Sequence, residues 1–96
     1  MFTFVLCFQT TDGNGLLLYS SGVTGDYMAL ELYDGSLFFV LDDGNGPRTY
    51  LIKENMNDDV WHNIEIVQVY EGNSIYFALA VDVHFRYSVC SCVNFL

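Results

Sequence analysis

The sequence predicts an all-β fold of antiparallel strands, and three observations support this prediction. The 96-residue chain is 17% aromatic and contains a single proline, a composition that suits pleated, half-buried strands. Between residues 15 and 46, apolar runs and alternating residues are separated by strong turn signals. At the centre of this stretch, Asp34-Gly35 tolerates the positive φ angles of a two-residue hairpin turn.

The strands are predicted, in chain order, at residues 2–10, 16–19, 26–33, 37–41, 47–53, 60–68 and 75–83. Side chains along a strand point alternately to opposite faces. In the third strand this places Met28, Leu30 and Leu32 on a core face. In the sixth strand His62 shares a face with two isoleucines. Residues 69–74 are predicted to form the turn before the last strand.

Several motifs then point to a family. They are a phenylalanine-rich first strand at 4–10, GLLLYSSG at 15–22, GDYMALELYDGSLFFVLDDGNGP at 25–47 and NDDVWHNIEI at 57–66. In this order they resemble a laminin G-like domain, and they are most similar to the domains of neurexins and related adhesion proteins. The resemblance covers residues 2–68.

The resemblance implies an antiparallel β-sandwich of the jelly-roll, concanavalin-like type. The chain is expected to hold this fold incompletely, without the opening strand and most of the C-terminal half. Residues 1–86 are therefore predicted to be a partial laminin G-like domain, and residues 87–96 an unmatched C-terminal tail.

The resemblance also implies a function without catalysis. The chain is expected to be an extracellular or cell-surface recognition module, part of a larger protein, that binds a protein ligand in cell adhesion or synaptic contact. Two alternatives remain open: a carbohydrate-binding module that recognises glycans, and a truncated fragment without function.

Calcium is the cofactor that the resemblance implies. Its predicted ligands are the carboxylate of Asp26, which opens the third strand, and the backbone carbonyl of Asp43 in the loop after the next strand. The neighbouring rim loops are residues 21–25 and 44–48. Calcium takes several oxygen ligands, and the family's others come from a later loop that this chain is expected to lack, so binding should be weak. The alternative is that both aspartates are ordinary turn residues.

The charge of the chain limits its partners. Twelve acidic residues face three basic ones, which gives a formal net charge of −9. Nucleic-acid binding requires clustered lysine or arginine and is not expected, whereas cations or basic protein surfaces are favoured. The charge could also serve solubility alone. Membrane insertion is not expected, because the apolar run at 76–81 is far shorter than the ~20 residues of a spanning helix.

The residues that could act in catalysis are better explained by structural roles. Histidine is a natural general base, but Trp61-His62 opens a strand in the family pattern, and Trp61 is predicted to pack in the core. A catalytic carboxylate pair could be formed among Glu31, Asp42 and Glu65, yet Glu31 and Glu65 fall on faces opposite the predicted core faces. The sequence contains no hydrolase or zinc-protease motif.

The sequence predicts different roles for Cys7 and for the other two cysteines. Cys7 lies within an apolar strand and is predicted to be a small buried residue. Cys90 and Cys92 are too close in sequence for an ordinary mutual disulfide. They could bind a metal as thiols, but no further histidine or cysteine pair completes a zinc site.

Overall fold

A computed structural model describes residues 2–21, 26–72, 74–82 and 91–94. For residues 2, 74, 75 and 91–94 it describes the backbone alone. The prediction of an all-β fold is confirmed, since every regular element in these ranges is a strand. The strands are β1 (Phe2–Gln9), β2 (Gly15–Ser21), β3 (Tyr27–Tyr33), β4 (Ser36–Asp42), β5 (Pro47–Lys53), β6 (His62–Glu71), β7 (Ser74–Val81) and β8 (Ser91–Asn94).

The first of two four-stranded sheets has the order β7-β6-β1-β8. Strand β6 pairs antiparallel with both β1 and β7. The short strand β8 pairs parallel with β1. It was not predicted, and it lies within the segment 87–96 that matched no family pattern.

One face of the first sheet is buried, as the alternation predicted. Ile64 and Ile66 are 0% and 1% exposed, and Phe8 is fully buried. The ladder sets Leu6 opposite Ile64 and Phe8 opposite His62, so these side chains share one face of the pleat. The centroids of the Phe8 and His62 rings are 5.6 Å apart.

The second sheet has the order β2-β3-β4-β5, and all its neighbouring strands are antiparallel. Met28, Leu30 and Leu32 are buried on one face of β3, which confirms the predicted core face. Leu37 and Phe39 are buried on the same face of β4, opposite Leu32 and Leu30.

The β3–β4 hairpin turns where the sequence predicted. Tyr33 pairs with Ser36 across the turn, and φ is +50° at Asp34 and +83° at Gly35. Positive φ at both central residues matches the right-handed twist of the flanking strands.

This turn is tied to two loops of the same unit. The Gly35 N–H donates to the Gly13 carbonyl at 3.0 Å, and the Gly35 carbonyl accepts from the Met56 N–H at 2.7 Å. The Asp34 N–H donates to the Asn14 side-chain oxygen at 3.1 Å, and Met56 is fully buried. We call this the closed end of the hairpin.

Three sequence-based predictions were wrong in this part of the chain. Trp61 does not pack in the core and is 51% exposed; it precedes β6, whose inward alternation begins at His62. The turn predicted at 69–74 is shorter, because β6 continues to Glu71 and pairs it with Ser74. Cys7 is neither a free thiol nor fully buried: it is disulfide-bonded and half-buried.

The register gives a context for this disulfide. Cys7 lies opposite Cys92 in the parallel β1–β8 pair. A cross-link at Cys7 constrains the unfolded chain as well as the folded strand. The sequence did not predict it, because it matched the tail to no known pattern.

Candidate functional site

The two predicted calcium ligands lie at one end of the β3–β4 hairpin. The last pair of this ladder at that end is Tyr27 with Asp42. Asp26 directly precedes β3 and Asp43 directly follows β4, so they occupy the next position on each strand. The observed register therefore places these two positions at the same end of two adjacent strands. We call this the open end of the hairpin.

The loop at the open end is organised by Asp42. One oxygen of its carboxylate, Oδ1, accepts the N–H of Gly44 at 2.8 Å and the N–H of Gly46 at 3.3 Å. Both glycines adopt positive φ, +103° and +100°, which an L side chain rarely does. Asp42 was not predicted as a site residue, although aspartate two residues before glycine is a typical signal of such a turn.

The Asp43 side chain is held within the same loop. Its Oδ2 lies 3.3 Å from Nη2 of Arg48. Its Oδ1 lies 3.4 Å from both the backbone nitrogen and the side-chain nitrogen of Asn45. Because the Asp43 carboxylate contacts Arg48 and Asn45 within the loop, the backbone carbonyl is the Asp43 group that fits the predicted ligand.

The donor chemistry at the open end suits calcium, which prefers carboxylate and carbonyl oxygens. Within the ranges that the structure describes, no group of three or more histidine, cysteine, aspartate or glutamate side chains is placed to hold a metal ion. Side chains alone therefore do not complete a site in those ranges. Residues 22–25, most of one predicted rim loop, lie outside them. The assignment of Asp26 and Asp43 stays a prediction.

The first sheet contains a polar pair, His62 and Asp82, that was not predicted from the sequence. His62 is buried, and its Nδ1 lies 3.0 Å from both carboxylate oxygens of Asp82. Since an ionised carboxylate only accepts, Nδ1–H is the donor. The Asp82 N–H also donates to the Asn63 carbonyl at 2.8 Å. The pair fastens the start of β6 to the end of β7, a structural role for His62.

The carboxylates considered for catalysis lie where the sequence predicted. Glu31 alternates with the buried Leu30 and Leu32, and Glu65 alternates with the buried Ile64 and Ile66. Both therefore point away from the buried faces. Cys90, considered above as a metal-binding thiol, lies outside the described residues.

Comparison with known proteins identifies the class of domain. Residues 8–88 match the family described as Laminin G domain. Residues of the chain are 43% identical to mouse Neurexin-2 over 63 residues, which is 62% of this chain and 4% of that protein. They are 38% identical to zebrafish (Danio rerio) Neurexin-3a over 79 residues, 78% of this chain and 4% of that protein.

A solved structure supports the same class. Domains LG4-5 of the mouse laminin alpha1 chain match with a TM-score of 0.64 and 25% identity, over 83% of this chain and 20% of that one. The chain thus spans only a small fraction of the neurexins it matches.

The chain belongs to the laminin G domain family and corresponds to part of such a domain. The predicted fold class, an incomplete laminin G-like β-sandwich, is confirmed. Domains of this family are extracellular or cell-surface binding modules of the adhesion type, without enzymatic activity. In the described ranges, no helix has the length and apolar character needed to cross a membrane.

Proposed function

We propose that this chain is an extracellular recognition module of a larger adhesion protein, and that it binds a protein ligand at the open end of the β3–β4 hairpin with the help of calcium. The observation that carries the proposal is the register that pairs Tyr27 with Asp42. It brings Asp26 and Asp43 to the same end of two adjacent strands, beside a loop of exposed residues.

The proposed ligands are two different oxygen groups. Asp26 supplies a carboxylate and Asp43 its backbone carbonyl. The contacts of the Asp43 carboxylate with Arg48 and Asn45 support this division, because they orient the loop while leaving the carbonyl as the donor. Asp42 sets the backbone of the loop through Gly44 and Gly46.

Weak binding is compatible with the proposed setting. Extracellular calcium modules work at dissociation constants of about 10⁻⁴–10⁻³ M. Two protein ligands with water in the remaining positions suit this range. Calcium would also offset part of the net charge of −9, which otherwise repels acidic protein surfaces.

Glycans are the weaker candidate partner. Acidic glycans require clustered basic side chains, and the described ranges contain only Arg48 and Lys53. Arg48 is already paired with Asp43. A protein ligand is therefore the better match to this surface.

Calcium titration of the ¹⁵N-labelled chain, followed through its amide resonances, tests the proposal. We expect saturable shifts with a dissociation constant of about 1 mM, largest at Asp26 and at residues 42–46. Asp26→Asn removes the carboxylate charge and should abolish the shifts. Glu71→Gln is the matched control, because it removes the same charge from an exposed position at the end of β6, outside the hairpin.

Equal shifts in the two variants, or shifts scattered over all acidic residues, would mean that calcium acts only as a counterion. Magnesium at the same concentration serves as a second control. It demands a smaller octahedral site and should leave the amides of residues 42–46 unshifted.

A further inference from the structure

The second sheet has an outward face that is largely apolar. It is the face opposite the buried Met28, Leu30 and Leu32, and strand pairing defines its members. We call it the tyrosine face, and it consists of Leu16, Tyr19, Tyr27, Ala29, Glu31, Phe38, Val40, Thr49 and Leu51.

The rows of the tyrosine face follow from the register. Tyr19, Ala29, Val40 and Thr49 lie side by side across the four strands. In the next row Leu16 and Phe38 lie on either side of Glu31. A bulge between Leu16 and Leu18 inserts one extra residue into β2. As a result, Leu16 pairs with Glu31 and lies on the same face.

Several large side chains of this face are exposed to solvent. Leu16 and Tyr19 are each 56% exposed, and Leu51 is 53% exposed. The rings of Tyr19 and Tyr27 are stacked, with centroids 5.4 Å apart and planes at 25°. Ala29 and Val40, in the middle of this face, are buried at 5% and 8% exposure, so its accessible apolar part is Tyr19 and the row from Leu16 to Leu51. Grouped apolar surface of this kind can mark an interaction site.

The charge of the tyrosine face has one sign. Among its nine members Glu31 is the one carboxylate and none is basic; a second carboxylate, Asp42, lies on the same side of the sheet at the edge of this face, opposite Tyr27. Glu31 is half-buried between apolar ladder neighbours, which strengthens its attraction for a cation compared with a fully solvated acid. Tyr19 is a diagonal neighbour of Glu31, because its ladder partner Ala29 lies two residues before Glu31 on β3. Diagonal neighbours lie about 7–8 Å apart.

We propose that the tyrosine face docks an arginine-bearing segment of a partner protein. The guanidinium stacks on the exposed ring of Tyr19 and donates to the Glu31 carboxylate, whose two oxygens match its fork of N–H donors. Apolar neighbours in the segment cover Leu16 and Leu51. The contact is centred on Tyr19 and Glu31 rather than on the open end of the hairpin, and it does not involve calcium.

Charge complementarity favours an arginine-bearing segment over a second copy of the chain or a purely apolar partner. The chain has a net charge of −9, so a second copy would bring acid against acid. An apolar partner without a cation would bury Glu31 unpaired, which is costly. An arginine satisfies both the carboxylate and the aromatic ring.

The probe is a blocked seven-residue peptide with two arginines and three leucines, titrated into the ¹⁵N-labelled chain in the presence of chelator. We expect saturable shifts confined to residues 16–19, 29–31, 38–40 and 49–51, which form the tyrosine face around Glu31. A lysine analogue should bind more weakly, because it lacks the planar fork, and an uncharged citrulline analogue should not bind.

Two charge-matched variants test the site. Glu31→Gln should weaken peptide binding roughly threefold to tenfold. Glu71→Gln removes the same charge from an exposed position at the end of β6 and should change binding by less than about twofold. Tyr19→Ser should also weaken binding, and unchanged amide dispersion in each variant verifies that it is folded.

Equal losses in the two glutamine variants would overturn the proposal in favour of bulk charge. Peptide-induced shifts at residues 42–46 would overturn it in favour of the open end. A concentration-dependent dimer abolished by Tyr19→Ser would identify a second copy as the occupant instead. Because the titration contains chelator, its result is independent of the calcium proposal.

Discussion

The two ends of the β3–β4 hairpin differ in how their backbones are held. At the closed end, Gly35 bonds through both its N–H and its carbonyl to separate loops, and Met56 beside it is fully buried. At the open end, the polar side-chain contacts of Asp42 and Asp43 with other described residues stay within residues 42–48.

The difference separates stability from recognition within one hairpin. Long-range bonds at the closed end fix the turn to the rest of its unit, so a change there propagates. Among the described residues, the side-chain contacts of Asp42 and Asp43 stay inside the loop of the open end, and ligand-binding loops are commonly drawn from such less stable regions. A binding site for an ion or partner is therefore expected at the open end.

The largest effect is expected from alanine at two glycines, one at each end. A Cβ at Gly13 would lie 2.8 Å from the Gly35 backbone nitrogen, whereas a Cβ at Gly44 has no atom within 4 Å. Gly13→Ala should lower the free energy of unfolding by about 2 kcal/mol through overpacking. Gly44→Ala should cost about 1 kcal/mol, because its φ of +103° strains any L side chain. Urea denaturation of the two variants measures the difference.

The order of these two values is the critical result. If Gly44→Ala destabilised the chain more than Gly13→Ala, the open end would carry more of the stability than its contacts indicate. The division between the two ends would then be wrong.

Smaller effects are expected within the open end itself. Asp42→Ala leaves the N–H groups of Gly44 and Gly46 without their carboxylate acceptor and should cost about 1 kcal/mol. Asp43→Ala removes an exposed ion pair with Arg48 and should cost less than about 0.5 kcal/mol. Thermal denaturation in chelator compares the two, and equal losses would contradict the role given to Asp42.

Local signals explain which parts of the fold the sequence could predict. The β3–β4 hairpin follows from strict alternation and from Asp34-Gly35, both of which act over a few residues. The position of Asp26 relative to Asp43 follows from that hairpin, since the turn fixes the register.

Non-local contacts explain the rest. Two examples are the hydrogen bond of Gly35 to Gly13 and the parallel pairing of β8 with β1. Each joins segments that are distant in sequence, and no local pattern in either segment indicates the contact. Trp61 was predicted to pack in the core because Trp61-His62 opens a strand in the family pattern, but it lies just outside the strand and is exposed. The calcium ligands were inferred from the family resemblance rather than from geometry, and they stay predictions.

A thermal melt of the purified chain with calcium and with chelator is the direct test of calcium binding at the open end. We expect a cooperative transition whose midpoint rises with calcium. At a concentration of about ten times the dissociation constant, the expected stabilisation is about 1.4 kcal/mol, or several degrees for a domain of this size. Asp26→Asn should melt cooperatively and lose the rise. A cooperative melt that ignores calcium would remove the metal and keep the fold, and the absence of a cooperative transition would favour a fragment without function.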